Sequence, residues 1–179
     1  GALTVHRSEL DLERLLGEVV NHVRPQLEQK EQTFECVLPA KLPKLNADKD
    51  MLNGALVNLL GNACKYTPER GAIRLELELT DDGVAIHIQD SGIGISPDEQ
   101  SRVFDRFFRS EDARVRVETG TGLGLSFARE VARLHNGRLV LHSELNRGSR
   151  FSLSLPLSHS NGVSPSQPER TPKAVTTNV

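Results

Sequence analysis

The chain has 179 residues, 37% of them hydrophobic and 26% charged, with a net charge of −2. That balance suits one globular domain with tails, and it gives no electrostatic ground for nucleic acid or an anionic membrane as a partner. Cys36 and Cys64 form neither metal-ligand spacing nor a disulfide framework, and no apolar run approaches the roughly 20 residues that span a bilayer. A reducing, cytoplasmic setting is therefore expected for this chain, whatever anchors the full protein. The Gly-Ala start and residues 1–9 read as a flexible remnant of something longer.

In chain order, Leu12, Leu15, Leu16, Val19, Val20 and Val23 recur at helical spacing, which predicts a helix from Leu10 to Lys30 with a break at Pro25. Phe34 to Leu38 reads as a short strand. Asp48 is placed to cap a helix that runs to Tyr66 and stops at Thr67-Pro68. The runs AIRLELELT and VAIHIQD alternate apolar and polar residues around Asp81-Asp82-Gly83, which predicts a hairpin with one wet face. Ser96-Pro97 opens a helix expected to reach about Phe108. Arg109 to Thr119 is charged and aperiodic, a mobile loop. A further helix is expected from Gly122 to His135, and then two strands, RLVLHS and SRFSLSLP, joined at Asn146-Arg147-Gly148. The polar, Ser- and Pro-rich stretch 158–179 predicts a disordered tail or linker. One-faced strands alternating with about three helices imply an α/β (α+β) fold, a two-layer sandwich with a mixed, mostly antiparallel sheet, over residues 10–157.

Three stretches carry the chemistry. In NGALVNLLGNACKYTP the apolar residues Leu52, Ala55, Leu56, Leu59, Leu60 and Ala63 form one stripe, and Asn58, Asn62 and Lys65 form a second beside it. Carboxamide oxygens are neutral, hard ligands that can hold Mg²⁺ beside phosphates, and an ammonium can neutralise phosphate charge. Alone, such a stripe is usually a solvated flank, and Tyr66 fits a core edge equally well. In IQDSGIGISPDE, Asp90 ends a strand, where a carboxylate can accept a hydrogen bond from an exocyclic amine such as that of adenine, although a strand followed by Asp-Ser-Gly is more often just a turn. In GTGLGLS, Gly120, Gly122 and Gly124 lead into a helix whose free amides make an anion seat. The pattern is neither the dinucleotide fingerprint nor a Walker loop. Arg106, Arg109, Arg114 and Arg116 precede it as candidates for a lid, the last two reading slightly better as solvated charges.

Together, NLLGNACKYTP, DSGIGI, FDRFFR and GTGLGLS resemble, in order, the N, G1, F and G2 boxes of the sensor histidine kinases, and GSRFSLSLP resembles the close of that family's catalytic and ATP-binding domain. The likeness spans about Leu10 to Leu157. It implies the fold shared with gyrase and mismatch-repair ATPases, with ATP and Mg²⁺ as ligands. Asn62 would then be the principal Mg²⁺ ligand with Asn58 assisting, Lys65 would touch phosphate, Tyr66 would lie against adenine, and Asp90 would take its amino group. Gly92, Gly94 and Ile95 would border the base. Gly120, Thr121, Gly122, Leu123, Gly124 and Leu125 would frame the phosphates, with Arg106 or Arg109 contacting them. Phe104, Phe107 and Phe108 would anchor one end of the lid.

The family's acceptor His, followed by an acidic residue, matches none of His6, His22, His87, His135, His142 or His159, which read as ordinary surface or strand residues. The chain is thus expected to act on a dimerisation hairpin it does not contain, to pass the phosphoryl on to a response regulator receiver domain, and to be monomeric by itself. Gyrase-like relatives place a Glu where Asn58 stands, and an amide cannot accept a proton from water at neutral pH, so transfer is favoured over hydrolysis. An anti-sigma-type serine kinase of the same fold is the alternative enzyme, against which FDRFFR argues. A non-catalytic ATP-sensing module is the other alternative, and it would bind nucleotide without transferring phosphate to any His.

Overall fold

A computed structural model describes residues 4–157 and the backbone of residues 172–175. Three long helices lie on one face of a six-stranded sheet. Helix α1 (Leu12–Gln29) buries Leu12, Leu15, Leu16, Val19, Val23 and Leu27, the stripe expected from the spacing. It runs unbroken through Pro25, which is exposed along with Asn21, so the carbonyl that loses its helical donor faces water. Leu10 is not helical. It closes a short strand β1 (Ser8–Leu10) that pairs antiparallel with β3 (Leu45–Ala47). Residues 6–9, expected as part of a flexible remnant, are tied down: the backbone N–H of His6 also donates to Asp48, and the Arg7 guanidinium donates to the Leu134 carbonyl, while residues 1–3 lie outside the described residues.

Strand β2 (Thr33–Pro39) precedes β3, and helix α2 (Lys49–Tyr66) follows it, capped by the Asp48 carboxylate through the Met51 N–H. Next come the hairpin β4 (Ala72–Thr80) and β5 (Gly83–Asp90), the one-turn helices α3 (Pro97–Gln100) and α4 (Ala113–Arg116), and helix α5 (Gly124–Leu134). The closing hairpin is β6 (Arg138–Glu144) and β7 (Gly148–Pro156). A strand β8 (Pro172–Val175) falls within the stretch expected to be a disordered tail and pairs antiparallel with β2; the rest of that stretch lies outside the described residues. The sheet order is β6-β7-β5-β4-β2-β8, and only the β2–β4 pair is parallel.

Strand register explains both the core and the site. Leu77, Ile86, Leu153 and Leu139 align across four strands, as do Leu75, Ile88, Phe151 and Leu141 in the next row. These rows meet Leu52, Leu56, Leu59 and Leu60 of α2 and Ala128, Val131 and Ala132 of α5 in one apolar cluster. The opposite face is polar: Arg74 pairs with Glu35 at 2.7 Å, and His87 lies 2.8 Å from Ser152 Oγ and 3.2 Å from Glu78. His135 is neither a surface nor a strand residue. It is buried at the end of α5, where Nε2 accepts the Asp48 N–H and Nδ1 faces the Val131 carbonyl.

The helix expected to reach Phe108 stops at Gln100. Val103 turns inward, Phe104 meets Phe151 edge-on at 6.3 Å, and Phe107 adopts a left-handed backbone that no helix can carry onward. Leu56 is fully buried between the helices and the sheet. Leu56→Ala is expected to cost about 2–5 kcal/mol of unfolding free energy, read from the midpoint of urea denaturation.

Candidate functional site

Helix α2 turns one stripe into the core and the adjacent one into a cleft of about 290 Å³. Asn58, Asn62, Lys65 and Tyr66 line the cleft from this helix, all half-buried. Asn58 Nδ2 donates to the Gly54 carbonyl at 2.9 Å, which leaves its amide oxygen as the free end. That oxygen lies against the first residue of α5: a Cβ on Gly124 would come within 2.7 Å of it. Lys65 Nζ sits 5.1 Å from the centre of the Tyr66 ring and donates to the Thr119 carbonyl at the end of the lid segment. Burial lowers the pKa of the Lys65 ammonium and raises that of the Tyr66 phenol, which stays neutral.

Asp90 enters from below. It falls in the row Ile73, Asp90, Ser149, Ser143, so the two-residue period that buries Ile86 and Ile88 turns its carboxylate toward the helices as well. The row lies at the end of the sheet, where the cleft replaces the core. Asp90 Oδ1 accepts the Gly92 N–H at 2.8 Å and the Ser149 N–H at 3.3 Å. Burial nevertheless dominates and pushes the carboxyl up to about 6.

Gly94, Ile95, Arg109, Gly120, Thr121, Gly122, Gly124 and Leu125 also line the cleft. Gly94 and Gly122 have positive φ, and each meets another backbone. A Cβ would lie 2.0 Å from the Glu144 carbonyl at the first and 2.7 Å from the Phe107 and Phe108 backbone at the second. No side chain caps the start of α5. Gly124 and Leu125 of its first turn line the cleft along with Lys65 and the neutral carboxamides of Asn58 and Asn62, a set of groups suited to a multiply charged anion carrying a hard cation. Arg109 donates to the carbonyls of Val115 and Glu118 and so braces the lid segment from inside.

Three residues of the expected set do not line the cleft. Gly92 lies behind it, packed on the Tyr66 carbonyl. Arg106 is exposed and lies in the field of Glu130, because the turn after Val103 aims it away. Leu123 faces outward at the start of α5. Among the expected lid anchors, Phe104 and Phe108 pack inward, whereas Phe107 is 72% exposed.

Apolar surface also comes from Phe108 of the FDRFFR stretch, from Phe151 of GSRFSLSLP, and from Val103, Val115 and Leu145, which no motif marks. The position of Phe151 opposite Ile88 also carried a signal, the inward parity of its strand. The lid segment holds the one-turn helix α4, capped by Asp112. The Arg114 guanidinium holds the Asp112 carboxyl down at about 2 and also bonds Asn146 Oδ1 at 2.9 Å.

A layer of three helices over a mixed sheet, with a cleft between α2, the end of β5 and the start of α5, is the architecture of an ATPase-type domain. The comparisons agree. A family profile described as histidine kinase-, DNA gyrase B-, and HSP90-like ATPase matches residues 47–159, and the chain belongs to that family. It is 37% identical over 156 residues to the adaptive-response sensory kinase SasA of Thermosynechococcus vestitus, an alignment covering 87% of this chain and 40% of the relative. The sensor-like histidine kinase SenX3 of Mycobacterium tuberculosis is 33% identical over 83% of this chain and 36% of its own length. Full-length ShkA in complex with AMPPNP superposes with a TM-score of 0.75 at 29% identity, covering 88% of this chain and 32% of that one. The mycobacterial sensor histidine kinase MprB superposes at 0.73 with 28% identity, over 85% of this chain and 98% of that chain. The chain thus spans about 40% of the curated relatives it matches. Among the described residues no helix is long and apolar enough to cross a membrane.

The raised pKa of Asp90 has a definite sign. A carboxyl near 6 in the fold and at its ordinary 3.8 when unfolded favours folding fully below 3.8, and that contribution is lost as pH rises through about 6. Relative to Asp90→Asn, the wild-type protein should lose on the order of 3 kcal/mol of stability between pH 3.5 and 7. Chemical denaturation across that range measures the difference, and a flat difference would exclude a desolvated carboxyl.

Proposed function

We propose that this chain is the catalytic, ATP-binding part of a two-component sensor histidine kinase working on the cytoplasmic side. It transfers the γ-phosphoryl of ATP to a His on a dimerisation hairpin of the same kinase, which passes it to a response regulator receiver domain. One observation carries the reading: an amide-and-ammonium stripe, a buried carboxylate and an uncapped helix start converge on one cleft. Kinship with sensory kinases supports the choice of acceptor.

Each group has a task its environment suits. Asp90, ionised above about pH 6, accepts the exocyclic amine of adenine, with Ser149 and Gly92 holding the carboxylate in place. Ile95, Val103, Leu145 and Phe151 exclude water around the base, and Tyr66 closes its edge. The amides that open α5 and the Lys65 ammonium balance the phosphate charge. Asn62 and the free amide oxygen of Asn58 would hold Mg²⁺, which supplies charge neutralisation at the β- and γ-phosphates when bound.

Transfer then needs alignment more than covalent help from this chain. The unprotonated imidazole nitrogen attacks Pγ in line, the bond to the β,γ-bridging oxygen breaks, and ADP leaves with that electron pair. Asn58 offers no base to activate water, so the site protects ATP until the acceptor docks.

Asn62→Ala is expected to abolish Mg²⁺-dependent ATP binding, and unchanged calorimetric affinity would remove Asn62 from the site. Asp90→Asn is expected to weaken adenine nucleotides at least tenfold while leaving guanine nucleotides within about twofold, because a side-chain amine would then face the base amine. The transfer itself is tested with radiolabelled ATP, this chain and a hairpin of the family. Acid-labile, base-stable label on the hairpin is the expected result, and label that survives acid would redirect the reading to a serine acceptor.

A further inference from the structure

Helix α2 presents Asn62, Lys65 and Tyr66 from its last turn, the part of any helix least able to hold itself. Here the difficulty is greater. Pro68 stands four residues after Cys64 and has no N–H, so the Cys64 carbonyl has no possible helical donor. The helix closes with a single capping bond, Thr67 N–H to the Ala63 carbonyl.

The missing donors come from the segment joining α1 to β2. Lys30 Nζ donates to the carbonyls of Cys64, Lys65 and Thr67 at 3.1, 2.7 and 3.2 Å. Gln32, only 2% exposed, donates its amide to Cys64 and Thr67 at 2.9 and 2.7 Å. The three hydrogens of one ammonium thus meet three carbonyls, at the negative end of the helix where a cation is favoured. The clamp is itself held, since the Arg70 N–H donates to the Lys30 carbonyl and the Gln32 N–H to the Leu27 carbonyl. On the cleft side the Ile93 N–H takes the remaining carbonyl of the turn, that of Tyr66.

We infer that Lys30 and Gln32 are positioning residues for nucleotide binding: they fix the last turn of α2 from behind, and through it the directions of Lys65 and Tyr66, without touching the ligand. This rests on the reading of the cleft as an ATP site. The carbonyls it caps belong to the same turn that carries Lys65 and Tyr66 into the cleft.

The test measures ATP affinity by calorimetry at 10 °C for wild type, Lys30→Met, Lys30→Arg and Val84→Ala, with the fold checked by circular dichroism. Val84 is fully buried at the end of β5 remote from Asp90, so its truncation destabilises without touching the clamp. Lys30→Met is expected to bind ATP about tenfold more weakly, with Val84→Ala within twofold of wild type even if its melting temperature falls as far. Lys30→Arg, which keeps charge and donors, is expected to recover part of the loss. Should Lys30→Met fail to fold, Gln32→Leu reads the same clamp through its second member and is expected to weaken binding about fivefold. Equal affinity of the folded clamp variants and wild type would overturn the inference while leaving the ATP site standing. Absence of ATP binding by wild type would instead overturn the site reading, and the inference with it.

Discussion

Helix α2 has to satisfy two neighbours at once. Its leucines at three- and four-residue spacing must face the sheet and α1, and the rotation of about 100° per residue then dictates where every other side chain points. Asn58, Asn62 and Lys65 stand on the flank of that stripe, so burying Leu52, Leu56, Leu59 and Leu60 is the act that aims them into the cleft. The core does not merely support the site. It sets the azimuth of the site, and a helix rotated by one residue would lose both.

The sheet applies the same logic with a different period. Alternation buries Ile86 and Ile88, and Asp90 continues that parity one step beyond the end of the apolar rows. The carboxylate is therefore carried under the helical layer by the strand itself, and its raised pKa is the electrostatic trace of occupying a core position. Burial and function are coupled here through register: a slip of one residue would put Asp90 on the wet face beside His87 and Arg74 and leave the cleft without a polar floor.

Long periodic elements were legible in the sequence because their patterns are local. The stripes of α1 and α2, the alternation of β4, β5 and β7, and the four boxes all lie within short windows. The strands β1 and β3 were not, since three residues show no period and only their mutual pairing makes them strands. Helix α3 ends early because Phe104 and Val103 are drawn to Phe151 and the cleft, a tertiary pull that overrides local helical preference. The hydrophobic walls of the site stayed hidden for a related reason. Val103, Val115 and Leu145 belong to separate segments brought together only by the tertiary fold, and none carries a motif. Arg106 and Leu123 sit inside motifs yet face away, because a motif records which residues recur and says nothing of which way a turn aims them.

The lid segment meets the tip of the β6–β7 hairpin through one exposed bond, from Arg114 to Asn146, while the Asn146 backbone is anchored on Ile93. An exposed polar contact of this kind contributes at most about 1 kcal/mol, comparable to thermal energy. The same segment is also tied at its two ends, where the Glu111 N–H reaches Glu99 and Lys65 reaches the Thr119 carbonyl, and these ties too are exposed. Every tie that holds the cover therefore lies at the surface, and the segment can lift without dismantling any part of the core.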